Sequence, residues 1–170
     1  YLQSVTAHSI IIMWRTDEAV AAQIIVSSPV EPDRTIEVEP GTRHEVTVTG
    51  LTAGRRYAYV VEAGTARAGG EFATAPSADE PYSFVVFGDS RSNVGAHRVL
   101  VERVGREVPD FILGTGDMVN MGAREQEWRK FFEIEADLLR NNVMFPSLGN
   151  HDRTSAGSAR YYRDYFSVPE

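Results

Sequence analysis

Three times between residues 82 and 152 a short apolar run ends in glycine followed by side chains able to bind a cation: YSFVVFGDS, DFILGTGD and VMFPSLGNHD. NVGAHRVLVERVGREV, with apolar residues at 94, 101, 104 and 108, separates the first two. GAREQEWRKFFEIEADLLRN separates the last two, and its Trp128, Phe131, Phe132, Ile134, Leu138 and Leu139 share one wide helical face. Strand, helix and strand within about thirty residues specify a βαβ unit with parallel strands, so the stretch reads as βαβαβ. In an open α/β sheet the ligand crevice lies beyond the carboxyl ends of the strands. Asp89, Asp117, Asn150 and His151 are therefore expected to converge there. Any one Gly-Asp is explained as a turn in which Asp bonds its own backbone or caps the next helix. Three such ends on one side of one sheet are harder to assign to turn chemistry.

Residues 1–75 follow a different pattern. SIIIMWRT, AAQIIVSS, RTIEVE, HEVTVTGL, RRYAYVVEAG and GGEFATA read as six short strands, divided by PVEPD, EPG, TAG and GTARAGG. Strands at this spacing predict a small antiparallel sandwich. Alternation puts Ile10, Ile12 and Trp14 on one face and Tyr57, Tyr59 and Val61 on another, as candidate core. LTAGRRYAYV fits a tyrosine corner carried by Leu51, Gly54 and Tyr57. APSADEP has the composition of a linker. The expected organisation is a β domain over 1–76, a linker over 77–81 and an α/β domain over 82–170.

With 42% hydrophobic and 24% charged residues, the 170-residue chain has the composition of a core-forming globular protein. A net charge of -7 and a pI near 5.1 disfavour nucleic-acid binding through a basic face. Without Cys, neither disulfides nor thiolate metal sites are available. No apolar run approaches the roughly 18 residues that a membrane span needs. The chain opens at Tyr1 with neither Met nor a leader, which reads as a trimmed piece whose targeting signal has been removed and suggests an extracytoplasmic protein.

Clustered carboxylates repel one another unless cations lie between them. Oxygen donors with an imidazole suit Mn, Fe or Zn in a two-metal arrangement, which Asp117 on the middle strand is placed to bridge. A nucleotide-binding loop is disfavoured, because neither GDSRSN nor GTGDMVN has the glycine spacing of a phosphate cradle.

FGDSR, GTGDMVN and LGNHD, in this order, resemble the first three signature blocks of the calcineurin-like metallophosphoesterases, which include the purple acid phosphatases. Residues 1–76 resemble a fibronectin type III domain and, more narrowly, the N-terminal domain of purple acid phosphatases. The resemblance implies hydrolysis of phosphate mono- or diesters by a metal-bound hydroxide at a dinuclear Fe, Mn or Zn site. By the family pattern Asp89 binds the first metal, Asp117 bridges, Asn150 binds the second and His151 is the general acid; Asp152, the next residue, is expected to orient His151, as a carboxylate fixes an imidazole tautomer. Two positions depart from the family pattern. Arg91 stands where many members carry a His ligand, and is either a clamp on the substrate phosphate or a salt bridge that holds the loop. Asn120 stands where purple acid phosphatases carry Tyr, which removes the charge-transfer chromophore and makes Asn120 a replacement ligand candidate. His97 is either a packed, hydrogen-bonded core residue or a substrate contact, and RYYRDYF, residues 160–166, either packs a loop over the sheet or lines a pocket. The family's later His blocks do not occur, so the chain reads as the first half of a catalytic domain, inactive by itself and prone to self-association through its incomplete sheet. The rival reading is a binding or adhesion module whose phosphoesterase half is structural.

Overall fold

The structure, a computed structural model, describes residues 1–168; the last two residues of the expected α/β domain lie outside the described residues. Its contacts divide the chain into two units, Tyr1–Glu80 and Pro81 onward.

The first unit is entirely antiparallel: β1 (Leu2–Gln3), β2 (Ser9–Ser28), β3 (Glu31–Thr49), β4 (Arg56–Ala63) and β5 (Ala66–Ala73). β2 pairs with β1, β3 and β4, and β4 with β5. The four strands expected between residues 9 and 51 are instead two long ones. Register shifts at Arg15/Val20 and Val20/Ala22 absorb the polar TDEA segment as a bulge, so the strand bends without ending. The Thr16 hydroxyl spans that irregularity by donating to Gly41 O at 3.0 Å, and Pro40, which has no N–H to give a ladder, falls at the same place. Ile10, Ile12, Ile24, Val26, Tyr57, Tyr59, Val61 and Phe72 are buried as core. Trp14 is only half-buried and stacks on His44 at 4.5 Å between ring centroids. The tyrosine corner is present: Thr52 N donates to Tyr57 Oη at 2.9 Å, and Tyr57 Oη donates to the Glu31 carboxylate at 3.1 Å.

The second unit runs β6 (Phe84–Phe87), α1 (Val94–Glu107), β7 (Phe111–Gly114), α2 (Glu125–Asn141), β8 (Val143–Pro146) and α3 (Arg160–Tyr165). Its three strands are parallel in the order β6-β7-β8, as the βαβαβ pattern requires. Right-handed crossovers between sequential strands put both helices on one face, where Ile112 and Met144 are buried with Trp128, Phe131, Ile134, Leu138 and Leu139 of α2. On the other face Phe84, Val86 and Phe145 remain exposed. α1 buries only His97 and Val104; Val108 ends it in the left-handed region and is exposed. The aromatic cluster of RYYRDYF packs as α3 against α2, with Tyr165 and Phe166 around Trp128, and Tyr162 Oη donates to Pro146 O at 2.9 Å.

Candidate active site at the strand ends

Each strand of the second unit ends where side chains leave almost no room. A Cβ on Gly116 would lie 2.5 Å from Gly149 N, and one on Gly149 would lie 2.2 Å from Asp117 N. The β7 and β8 ends thus touch backbone to backbone, which only glycine permits. A Cβ on Gly122 would meet Asp152 O at 2.0 Å, so the loop after β7 is pressed against the LGNHD turn in the same way.

This crowding forces Asp89 (φ 53°) and Asp117 (φ 55°) into the left-handed region, at a cost of about 1 kcal/mol or more for a residue with a Cβ. Hydrogen bonds hold both: Asp89 N donates to Gly116 O at 3.0 Å, and Asp117 N to Asp152 Oδ2 at 2.8 Å. Of the four non-glycine residues in the left-handed region among the described residues, these two are carboxylates at adjacent strand ends, which marks them as functional candidates.

The guanidinium of Arg91 lies between them. Its Nη1 donates to Asp89 Oδ1 and, at 2.8 Å, to Asp117 Oδ2. Of the two readings of Arg91, this arrangement is the salt bridge. Asp117 is mostly buried and Asp89 mostly exposed, so the pair opens to solvent on the Asp89 side. Asp117 Oδ1 accepts from His151 N at 2.9 Å, which fixes the LGNHD backbone against β7.

The ring of His151 is held by Asn120, not by Asp152. His151 Nδ1 lies 3.0 Å from the carbonyl oxygen of Asn120, and since a carbonyl can only accept, Nδ1 carries the hydrogen and Nε2 is the nitrogen left for chemistry. Asn120 is itself placed by Glu127, whose Oε2 accepts from Asn120 N at 2.7 Å and from Met121 N at 3.1 Å. Asp152 is 1% exposed and engages four backbone amides: Asp117 N and Gly149 N at Oδ2, Met118 N and Val119 N at Oδ1. Burial pushes its carboxyl up, against the four amides that pull it down. Asp152 therefore does not orient His151 as expected; it ties the β7 end to the β8 end instead. The sequence signal for this role is a carboxylate closing a turn whose amides have no strand partners, which resembles any Asp turn. The side chains of Asn150 and Asn120 are exposed and make no hydrogen bond to the described residues.

The strand ends therefore bring Asp89, Arg91, Asp117 and His151 into one hydrogen-bonded group, with Asn120 and Asp152 as its supports. Among the described residues no group of three or more His, Cys, Asp or Glu side chains converges as a metal site. The two carboxylates and the asparagine amides are donor types that suit a hard cation.

Comparison with known families decides the class, since the profile of the calcineurin-like phosphoesterases matches residues 82–169, just over half of the chain. The chain belongs to the calcineurin-like phosphoesterase family. The purple acid phosphatase PPD1 from yellow lupin (Lupinus luteus) seeds is similar in structure, with a TM-score of 0.79 at 14% identity over 99% of this chain and 40% of that one. PhoD is similar with a TM-score of 0.60 at 13% identity, over 91% of this chain and 38% of that one. At these identities the likeness is one of fold, and the phosphoesterase chain spans about two fifths of each of these structures. A fibronectin type III domain of human collagen α-1(XX) chain also matches, at 22% identity and a TM-score of 0.39 over 48% of this chain. No curated protein matches the sequence.

Proposed function

We propose that the protein hydrolyses phosphate esters at the ends of β6, β7 and β8, with this chain supplying one side of a cation-assisted site. The observation that supports this most is the pair of strained carboxylates, Asp89 and Asp117, sharing one cation beside a histidine with a free Nε2. Hard cations held there would supply positive charge against the phosphoryl oxygens and make water more acidic. Asp89, Asp117 and the amide oxygen of Asn150 would hold them, with Asn120 within the same loop as a further oxygen donor. The remaining ligands are then residues other than these.

His151 acts on the leaving group. With Nδ1–H donated to Asn120 O, the ring is fixed and a proton carried at Nε2 can pass to the departing ester oxygen. The Asn120 carbonyl accepts from Nδ1 whether or not Nε2 carries a proton, so the ring keeps its orientation through the transfer. Arg91 offers its remaining N–H groups to a phosphate oxygen while Nη1 holds Asp89 and Asp117, so the clamp and the salt bridge are compatible in one guanidinium. Asp152 keeps the two strand ends in register and touches no substrate.

The deciding experiment is turnover of the longer protein with His151→Ala, on phosphate esters with poor and with good leaving groups. Loss of a general acid lowers turnover of alkyl phosphates about 100- to 10,000-fold, and lowers that of activated aryl phosphates much less. Equal loss on both classes removes His151 from the acid role, and an intact protein that turns over neither class removes the phosphoesterase reading.

A further inference from the structure

Beside the strand ends, between the loop after β6, the first turns of α1, the loop after β7 and the inner face of α2, lies a cavity of about 350 Å³. That is the low end of the range of small-molecule pockets, enough for a ring system and too small for a polymer chain. Val94, Met118, Val119, Phe131 and Ile134 make its apolar lining, and Glu127 and Lys130 add charged side chains to its wall. Arg91 forms part of the wall, so the cavity adjoins the guanidinium that holds Asp89 and Asp117.

Two lining residues carry polar atoms that the protein does not satisfy. Ser90 Oγ is buried with no hydrogen-bond partner. His97, 4% exposed, has Nε2 2.7 Å from Glu135 Oε1 and its ring against Phe131 at 5.7 Å, while no hydrogen bond reaches Nδ1. Glu135 is fully buried in the apolar face of α2 and its Oε2 also lacks a partner. Burial pushes its carboxyl up, with His97 pulling the other way. A carboxylate behind an imidazole fixes the ring's orientation and leaves the second nitrogen to an occupant. Buried polar atoms without partners are rare in folded proteins and each one calls for a reason. A ligand in the cavity supplies that reason for Ser90 Oγ and offers a partner to His97 Nδ1.

We propose that this cavity takes the organic group of the phosphate ester, a ring-bearing alcohol whose polar substituent hydrogen-bonds Ser90 Oγ and His97 Nδ1 while the phosphate lies on the Arg91 side. The proposal rests on the phosphoesterase reading and adds a substrate class to it. His97 is then both the packed core residue and the substrate contact, with Glu135 a positioning residue that acts through it.

The test compares naphthyl phosphate with methyl phosphate in the longer protein. Val94→Trp fills the cavity from the half-buried first turn of α1, and Ser90→Ala and His97→Gln change its polar contacts with little change of volume. The expected result is a fall in the naphthyl-to-methyl ratio of kcat/KM, about tenfold or more for Val94→Trp and severalfold for the other two, carried mainly by KM. An equal loss on both esters, or no loss, overturns the proposal and leaves His97 and Glu135 as core packing. If the unsubstituted protein turns over neither ester, the phosphoesterase reading has failed separately, and binding of 2-naphthol to the 170-residue chain, followed by its fluorescence, decides the cavity. Binding that Val94→Trp abolishes supports the cavity as a ring site; absent binding, or binding that the variant leaves intact, overturns it.

Discussion

Replacing Asp152 by Asn tests the central structural claim about the strand ends, because the change keeps shape while removing acceptor capacity and charge. The carboxylate accepts from Asp117 N at 2.8 Å and Gly149 N at 2.9 Å on one oxygen, and from Met118 N at 2.9 Å and Val119 N at 3.2 Å on the other. An Asn amide can accept on one side only. Whichever way it turns, its NH2 faces two backbone donors and leaves them unsatisfied. At about 1–3 kcal/mol per buried unsatisfied group, the loss is roughly 2–6 kcal/mol. The two surviving bonds also weaken from charged to neutral, while the variant escapes the desolvation that pushes the Asp152 carboxyl up. These two effects oppose each other, so the net expectation is a loss of about 3 kcal/mol. Freeing Asp117 N also releases the left-handed turn at φ 55°, which moves the carboxylate that Arg91 holds. Trp128 is fully buried in the same unit, and in a Trp14→Phe background it is the only indole, since the chain has two Trp. Urea unfolding followed by its fluorescence, with and without Asp152→Asn, reads the difference directly. A shift of less than about 0.5 kcal/mol at unchanged m-value, the size of an ordinary surface substitution, would refute the tie between the strand ends. If turnover of the longer protein then fell sharply at undiminished stability, Asp152 would be acting on His151 after all.

Tyr57→Phe removes the group that accepts from Thr52 N and donates to Glu31, and lowers the stability of the first unit by about 1–2 kcal/mol, read from its denaturation midpoint; an unchanged midpoint would count against the tyrosine corner. Glu135 is predicted to make stability depend on pH. Its folded value is raised, so the native state binds the proton more tightly than the unfolded chain. Its contribution is then fully present below the ordinary glutamate value and lost as pH rises through the higher folded value. The penalty of Glu135→Gln against the unsubstituted chain should accordingly shrink between about pH 4 and about pH 8, and a penalty that grows with pH reverses the sign of the argument. Arg91→Ala removes the internal cation from Asp89 and Asp117, so calorimetric titration of the chain with Mn should show tighter binding, about tenfold for a partly buried pair; weaker binding would show that the guanidinium does not compete with an added ion.

Much of the architecture is legible locally. The helical face of α2, the alternation in β4 and the apolar runs ending at Gly88, Gly116 and Gly149 are short-range patterns, and each forms the element that its period specifies. Strand continuity in the first unit is not local. Whether TDEA turns the chain or bulges within one strand depends on Gly41 and its neighbours across the ladder, about twenty-five residues away. The candidate site divides in the same way. Residue type and position at the strand ends single out Asp89, Asp117, Asn150 and His151. Their partners are set by contacts between segments that the sequence does not pair.

Asp152 adjoins His151 in the chain, yet its carboxylate bonds amides at 117–119 and 149, because the glycine contacts bring those N–H groups together with no other acceptor. Arg91 departs from the family pattern as a residue type, and only the closeness of β6 and β7 turns that departure into a cation shared by two carboxylates. Glu135 is one charged residue within an apolar helical stripe, and His97 one histidine on another helix. Their pairing required α1 and α2 to pack on the same face of the sheet. The sequence by itself determined the antiparallel and βαβαβ patterns and which chemistry-bearing residues end the strands, since period and turn chemistry act over a few residues; where the strands of the first unit begin and end was decided across the ladder. The tertiary structure alone decided which polar atom satisfies which, because hydrogen-bond partners are chosen by what packing brings within about 3 Å and shields from water.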